Sequence, residues 1–155
     1  MNETTLTPEE FAARYAAETI TGYLIDTANE TARVVTVDKQ LSSYYSLLDC
    51  SLIAITEHRI GVRTPANPEP HIFSIVSDDE SLLVEDPRIS AIDNMGSPML
   101  CGSLFIVKNH VKEFGEVELT SLEPEDIAYI KRFIHLQGTH KHPKPYPMLH
   151  QCEYI

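Results

Sequence analysis

The chain has 155 residues, of which 43% are hydrophobic and 23% charged, and its formal net charge is −11. This size and composition are typical of one globular domain that buries its core without disulfides or metal. The acidity disfavours binding to nucleic-acid phosphates, which depends on lysine and arginine, and favours basic protein partners. No apolar run approaches the roughly 18 residues of a membrane span, and the acidic N-terminus lacks the features of a signal peptide. We therefore expect a cytoplasmic protein.

The first fifty residues predict a helix, a hairpin and a second helix. Residues 7–10 combine a capping threonine, a proline and two glutamates, which is a helix-start pattern, and an apolar stripe follows to about residue 17. Residues 19–26 and 32–37 are rich in β-branched side chains and flank a turn-like segment, which predicts a β-hairpin. Residues 41–48 carry apolar side chains at helical spacing and predict a short amphipathic helix.

The middle of the chain alternates strand and loop signals. Residues 51–62 predict a long strand, and residues 71–76 predict another. Between them, residues 64–70 contain three prolines, which exclude a helix or a central strand and predict a loop. Residues 78–96 are expected to be mostly loop, and within them the adjacent Leu82 and Leu83 are expected to be buried.

The last third predicts one strand, one helix and a tail. Residues 100–107 are apolar and predict a strand, and the acidic residues 123–126 open a final helix. Residues after about 138 are rich in proline and histidine and predict an extended tail. The expected fold class is α+β: a mainly antiparallel sheet of about five strands, with two or three helices packed on one side. Residues 1–137 would form this single domain, and residues 138–155 the tail.

Several segments, taken in order, resemble a family of small phage and mobile-element proteins known as domain of unknown function 3846. The segments are Tyr-Leu-Ile-Asp at 23–26, Leu-Leu-Asp-Cys at 47–50, the acidic Leu-Leu turn at 78–83, Pro87, the Gly-led strand at 102–107 and the helix start at 119–125. Two positions depart from the family pattern: Ser81 replaces a glycine, and Arg88-Ile89-Ser90 stands where the family has an asparagine soon after the proline. The resemblance implies an origin in a phage or mobile element and carries no reaction with it.

An acidic loop is the first candidate site. Its carboxylates could form a surface that docks a partner protein. They could also hold a divalent cation through oxygen ligands, although their spacing does not reproduce an EF-hand loop. The plainer interpretation is that they cap turns and solvate the surface. The residues are Asp78, Asp79, Glu80, Glu85, Asp86 and Asp93.

A group of tyrosines, histidines and arginines is the second candidate site. Arginines are scarce on this chain, and arginine binds phosphate through two parallel hydrogen bonds. With nearby aromatic rings, they could bind a small signalling nucleotide. The alternative is that the tyrosines belong to the core and that the arginines pair with surface acids. The residues are Tyr44, Tyr45, His58, Arg59, Arg63 and His71.

The histidine-rich C-terminus is the third candidate site. Imidazole and thiolate groups are ligands that Zn²⁺ prefers, but the spacing matches no familiar zinc motif, and exposed histidines in a tail are the simpler interpretation. The residues are His135, His140, His142, His150 and Cys152. With Cys50 and Cys101, the cysteines are odd in number and far apart, which predicts free thiols.

No P-loop, dinucleotide-binding glycine motif, nucleophile elbow or zinc-protease helix is present in the sequence. The favoured function is therefore a non-enzymatic accessory protein that engages a host protein, for example one of a defence system, in the host cytoplasm. The alternatives are a protein that sequesters a small signalling nucleotide and a zinc-dependent hydrolase that uses the histidines. Apart from that zinc, no cofactor is expected. An uncovered sheet edge would also allow a homodimer.

Overall fold

The computed structural model describes Thr7 and residues 18–84, 86–111 and 113–155. Of these residues, 47% lie in strands and 14% in helices, and the strands form two sheets. The helix predicted from residues 7–10 lies outside the described residues, apart from Thr7. Among the described residues, no helix is both long enough and apolar enough to cross a membrane.

The larger sheet has seven strands, and every pairing within it is antiparallel. The strands are β1 (Thr19–Asp26), β2 (Thr31–Asp38), β3 (Ile53–Ile60), β4 (His71–Asp78), β7 (Leu104–Val111), β8 (Val117–Thr120) and β11 (Cys152–Tyr154). Their order in the sheet is β11-β3-β4-β7-β1-β2, and β8 pairs with the end of β7.

The smaller sheet has four short strands in the order β6-β5-β10-β9. They are β5 (Ile89–Ile92), β6 (Pro98–Cys101), β9 (Ile134–Gln137) and β10 (Tyr146–Leu149). The pairing of β10 with β5 is parallel and is recorded at Leu149 opposite Ala91, while β10 pairs with β9 along four positions.

Two α-helices lie in the described part of the chain, α1 (Leu41–Leu48) and α2 (Pro124–Lys131), with a 3₁₀ turn at Glu113–Gly115. They cover opposite faces of the larger sheet. Tyr44 of α1 packs in a cluster with Leu24, whereas Tyr129 of α2 packs in a cluster with Ile25. Since successive residues of a strand point to opposite faces, the two clusters lie on the two sides of β1. The smaller sheet packs with α2, through Ala91 and Leu149.

Several local predictions are confirmed. The hairpin of β1 and β2 pairs over all eight positions, and α1 covers the predicted residues. The start of α2 is closed by a capping box in which the Asp126 carboxylate accepts the N–H of Glu123 at 2.8 Å. Strands β3 and β4 and the proline-rich loop between them also lie where the sequence predicts.

The expected fold class is wrong. Helices lie on both faces of the larger sheet, and a second sheet covers part of the face on the α2 side. The strand expected at residues 100–107 is divided between two sheets at Gly102, whose φ of +77° turns the chain. Residues 78–96 are mostly loop, as expected, but contain β5, and β9 begins at Ile134, shortly after the end of the last helix.

The C-terminus is not an extended tail. β10 lies in the middle of the smaller sheet, and β11 pairs with β3 at the edge of the larger one. Met148, Leu149 and Cys152 are fully buried, and Tyr146 is 1% exposed. Prolines excluded helix here, as the sequence indicated, but they did not exclude short strands whose partners lie far away in the chain.

Candidate partner-binding site

The segment after β4 is a series of tight turns, and we refer to residues 78–84 as the acidic–aliphatic loop. The Asp78 carboxylate accepts the N–H of Glu80 at 2.9 Å, and the Asp78 carbonyl accepts the N–H of Ser81 at 3.1 Å. The N–H of Leu83 then donates to the Glu80 carbonyl at 2.9 Å. These local bonds, one of them to the Asp78 side chain, satisfy much of the loop backbone and hold its shape.

Three consecutive aliphatic side chains at the tip of this loop are exposed to solvent. Leu82 is 73% exposed, Leu83 is 78% exposed and Val84 is 52% exposed. The expectation that the two leucines are buried is therefore wrong. Single exposed leucines are common on protein surfaces, but an adjacent group with a polar rim is typical of an interaction site.

The acids of the first candidate site are divided by the fold. Asp78, Asp79 and Glu80 lie on the loop, and Asp79 is exposed. Asp86 is also exposed, and its carboxylate lies 2.8 Å from Nε2 of His142. Asp93 belongs to a different turn, between β5 and β6, where its carboxylate accepts the backbone N–H groups of residues 95 and 97. Glu85 lies outside the described residues.

A cleft of about 620 Å³ lies beside the loop. It is bounded by the β1–β2 turn, the end of α1, the loop and the chain at residues 102–103. Ser81 and Val84 of the loop line it. The Ser103 hydroxyl accepts the N–H of Thr27 at 3.1 Å and so joins two of its walls. The lining includes Asp26, Asp49, Asp78, Pro87 and Gly102, which belong to five of the six segments that resemble the phage family.

Two arginines line the cleft, and both are engaged by carboxylates. Arg33 donates to Asp26 at 3.2 Å, and Arg88 donates to Glu30 at 2.9 Å. Burial alone would raise the pKa of Asp26, but hydrogen bonds from Asn29 and Arg33 outweigh it and lower the pKa. The hydrogen bond from Arg88 likewise lowers the pKa of Glu30. The positive charges of both arginines are thus paired within the protein.

The backbone of the cleft wall is strained at two non-glycine positions. Asp49, which ends α1, has a φ of +51°, and Asp86 has a φ of +67°. Left-handed conformations carry a cost for residues other than glycine, and short polar side chains tolerate them best. Such strain is often found at ligand and partner sites, and here both positions border the cleft.

The fold separates the aromatic members of the second candidate site. Tyr44 is buried on the α1 face, 6.2 Å from the ring of Phe105. His58 is fully buried and pairs directly opposite Phe73, whose side chain belongs to the cluster on the other face. The half-buried Tyr45 lies on α1. The tyrosines and His58 therefore do not line one pocket.

His58 has a structural environment. Its Nε2 lies 2.7 Å from the Thr56 hydroxyl, and its ring lies 4.5 Å from that of Tyr154. Burial lowers the pKa of His58 to about 4, against a smaller opposite effect from the backbone of Glu153. The imidazole is therefore neutral at physiological pH and is not a partner for phosphate.

The two arginines of the second candidate site stabilise the proline-rich loop. Arg59 donates to the carbonyl of Pro70 at 2.9 Å, and Arg63 donates to the carbonyl of Pro68 at 3.1 Å. His71 begins β4, and its ring stacks on Tyr129 at 4.1 Å between centroids. Each side chain thus has a structural contact, and the six residues are not brought together.

Tyr129 fastens the proline-rich loop to the core. Its hydroxyl donates to the carbonyl of Ile60 at 2.5 Å and accepts the N–H of His71 at 3.3 Å. The side-chain amide of Asn67 also donates to this hydroxyl at 3.3 Å. One phenol therefore satisfies groups from β3, the loop and β4.

The histidines of the third candidate site are dispersed. His135 and His150 are close, with ring centroids 4.9 Å apart, whereas His142 pairs with Asp86 and His140 is exposed in the segment between β9 and β10. Burial, and then the neighbouring His135, lower the pKa of His150. Across residues 18–84, 86–111 and 113–155, no three histidine, cysteine, aspartate or glutamate side chains are grouped so as to hold a metal ion.

The three cysteines are free thiols, as predicted. Cys101 and Cys152 are buried, and Cys50 is half-buried. Burial raises the pKa of Cys152 to about 12 and also raises that of Cys50, to which Asp78 adds. Protonated thiols of this kind are poor nucleophiles and poor metal ligands.

The sequence predicted the acidic residues of the candidate site but not its exposed leucines or its arginines. The exposure of Leu82 and Leu83 and the position of Arg33 and Arg88 on the cleft were not anticipated. The turn signal in Ser-Asp-Asp-Glu-Ser at residues 77–81 was available, and a tight turn leaves little room to bury the side chains at its tip.

Comparisons with protein-family models, curated proteins and solved structures found no match for this chain. The resemblance to the phage family therefore remains a prediction from the sequence motifs.

Proposed function

We propose that this protein is a non-enzymatic binding module that engages a partner protein through the acidic–aliphatic loop. The observation that carries the proposal is the exposure of Leu82, Leu83 and Val84 at the tip of a loop with carboxylates on its flank. When a partner covers exposed apolar side chains, the free energy of binding becomes more favourable by about 25 cal/mol for each Å² of apolar area removed from water. A polar rim around them is the usual anatomy of a protein interface.

The charge of the loop indicates the chemistry of the partner. Asp79 and Glu80 stand beside the aliphatic tip, and the chain as a whole carries a net charge of −11. A complementary partner has an apolar pocket flanked by lysine or arginine, because such a surface is attracted at long range and pairs at the rim. Binding should therefore weaken as ionic strength rises, since salt screens charges beyond about 10 Å at 0.1 M.

The cleft extends the same surface. Ser81 and Val84 belong to the loop and also line the cleft, so a partner seated on the loop also covers the mouth of the cleft. The resemblance to a phage and mobile-element family supports a host protein as the partner. On this proposal the protein is an accessory factor that acts by occupying a host surface.

A pair of matched variants tests the proposal. Leu82→Ser/Leu83→Ser removes the aliphatic tip, and Met95→Ser is the control, because Met95 is 83% exposed on a different turn. Wild type and both variants are used to capture partners from a lysate of the cells that naturally carry the gene. A captured protein is then purified and titrated directly against each form.

The loop variant should bind at least about 30-fold more weakly than wild type, since truncation of a central apolar contact costs about 2 kcal/mol or more. Met95→Ser should bind like wild type. A second variant, Asp79→Asn/Glu80→Gln, should reduce the salt dependence, and Glu113→Gln/Glu116→Gln at a distant exposed turn should not. Equal binding by wild type and the loop variant would contradict the proposal.

A further inference from the structure

The larger sheet ends in a long strand with one free edge. β2 pairs with β1 at every position from Thr31 to Asp38, and it is the last strand in the order of the sheet. No other strand of the described chain lies along its outer side. A free edge presents unpaired backbone N–H and C=O groups, which can pair with another strand.

The outermost strands at the other edges are short, in contrast to β2, although residues 53–57 of the neighbouring β3 also have no partner among the described strands on the side of β11. Among the described strands, β11 has three residues, and β6, β8 and β9 have four each, with Pro98 at the start of β6. Proteins commonly protect edges by shortness, proline, charge or a bulge. β2 has eight residues, contains no proline and keeps an unbroken register with β1. It therefore lacks the usual protection.

The composition of β2 favours approach of an identical strand. Residues 32–37 read Ala-Arg-Val-Val-Thr-Val and contain no acid, on a chain with 23 acidic residues. Arg33, the one charge in this stretch, is paired with Asp26 at 3.2 Å. Val34 is 42% exposed. Two strongly acidic molecules repel each other over most of their surface, and a strand without acids opposes their approach less than an acidic strand would.

We propose that two copies of the chain associate through antiparallel pairing of β2 with β2, so that the two larger sheets become continuous. A twofold axis makes such an interface closed and self-complementary. β-branched side chains opposite one another then add cross-strand contacts. An open groove of about 560 Å³ between β2 and α1, lined partly by Val37 and Leu47, leaves space for side chains of the second copy.

The symmetry makes a sharp geometric prediction. In an antiparallel pair, two residues that lie opposite each other either both direct their backbone N–H and C=O groups toward the partner strand or both direct them away. Since this direction alternates along a strand, two copies of β2 can pair only when one residue lies opposite its own copy. The axis therefore passes beside one residue of β2, which faces its own copy at about 5 Å between Cα atoms. For the next residue along β2, the Cα atom and its copy in the second molecule are about 8 Å apart, because each strand adds a rise of about 3.4 Å and the strands are about 4.8 Å apart. Disulfides require less than about 7 Å.

A cysteine scan tests this geometry. Cysteine is placed singly at residues 34, 35, 36 and 37 in a background in which the half-buried Cys50 is replaced by serine, and Leu136→Cys on the edge strand β9 is the control. Under mild oxidation, one position of β2 should form a covalent dimer at least about tenfold faster than its neighbours, while Leu136→Cys stays monomeric. Uniformly slow cross-linking, or fastest cross-linking at position 136, would overturn the proposal.

Solution mass provides an independent measurement that needs no cross-link. Native mass spectrometry of the wild type should show a dimer that dissociates on dilution. Val34→Lys should be monomeric with an unchanged circular dichroism spectrum, because a lysine on an edge strand opposes pairing with another strand, whereas Leu136→Lys should remain dimeric. A wild type that is monomeric at every concentration, or whose edge is occupied by a strand of another protein, would refute pairing with a second copy.

Discussion

The buried His58 predicts a specific loss of stability in acid. Its imidazole is fully buried, and burial lowers its pKa from 6.5 to about 4 in the folded protein. In the unfolded chain the same group titrates near 6.5. Between these two values the unfolded state binds the extra proton, so the free energy of unfolding rises with pH across this window.

The magnitude follows from the difference between the two pKa values. At about 1.4 kcal/mol for each pH unit, the interval from 6.5 to about 4 corresponds to about 3 kcal/mol. This contribution is intact above pH 6.5 and is lost as the pH falls to about 4. Typical domains are stable by 5–15 kcal/mol, so the loss is a sizeable share of the total.

The assay compares wild type with His58→Gln, which retains a polar group near Thr56 but does not titrate. Urea unfolding is followed at several pH values by circular dichroism and tyrosine fluorescence, since the chain has seven tyrosines and no tryptophan. The stability difference between the two proteins should shrink by about 3 kcal/mol from pH 7 to pH 4. Other histidines, including His150, titrate in both proteins and cancel. Parallel pH profiles would refute the reasoning.

Three further predictions concern packing and the thiols. Tyr129→Phe should lower the free energy of unfolding by about 2–3 kcal/mol in urea titrations, because three groups lose their shared hydroxyl. Gly22→Ala should cost at least about 2 kcal/mol in the same assay, since an added Cβ would lie 2.6 Å from the ring of Phe105. With a thiol reagent at pH 8, Cys50 should react slowly in the native protein, and Cys152 only after unfolding.

A specific result would contradict each of these three predictions. Tyr154 is 55% exposed and its hydroxyl bears no such network, so Tyr154→Phe should change stability by less than about 0.5 kcal/mol. Equal effects of the two tyrosine substitutions would argue against the role of the Tyr129 hydroxyl. Wild-type stability of Gly22→Ala would show that Phe105 can move aside. Rapid native reaction of all three thiols would contradict the burial of Cys152.

The elements that the sequence predicted are longer than the elements that it missed. β1, β2 and α1 contain eight residues each, long enough for a periodic apolar pattern to appear in the sequence. β5, β9 and β10 have four residues each, too few for a period to be recognised. Their stability comes from partners distant in the chain, such as Ala91 opposite Leu149.

The candidate site shows the same division. Acids in a turn were visible in the sequence, and Asp78 and Glu80 do shape a turn. Burial of Leu82 was inferred from its hydrophobicity alone, but burial depends on how much of the side chain other segments cover, and Leu82 is 73% exposed. Tyr44 and His58 seemed candidates for one pocket, yet a sheet lies between them, and which face a side chain takes depends on strand register.

The sequence by itself determined the local elements: the hairpin, the capped start of α2, the proline-rich loop, the free thiols and the strong negative charge. These depend on neighbours a few residues apart, whose interactions are set by covalent spacing. Tertiary structure alone decided that the C-terminal strands complete both sheets, that the leucines at 82 and 83 face solvent, and that β2 is the last of the described strands in the larger sheet. Those outcomes depend on which distant segments meet, because burial and strand pairing are properties of the whole packed chain.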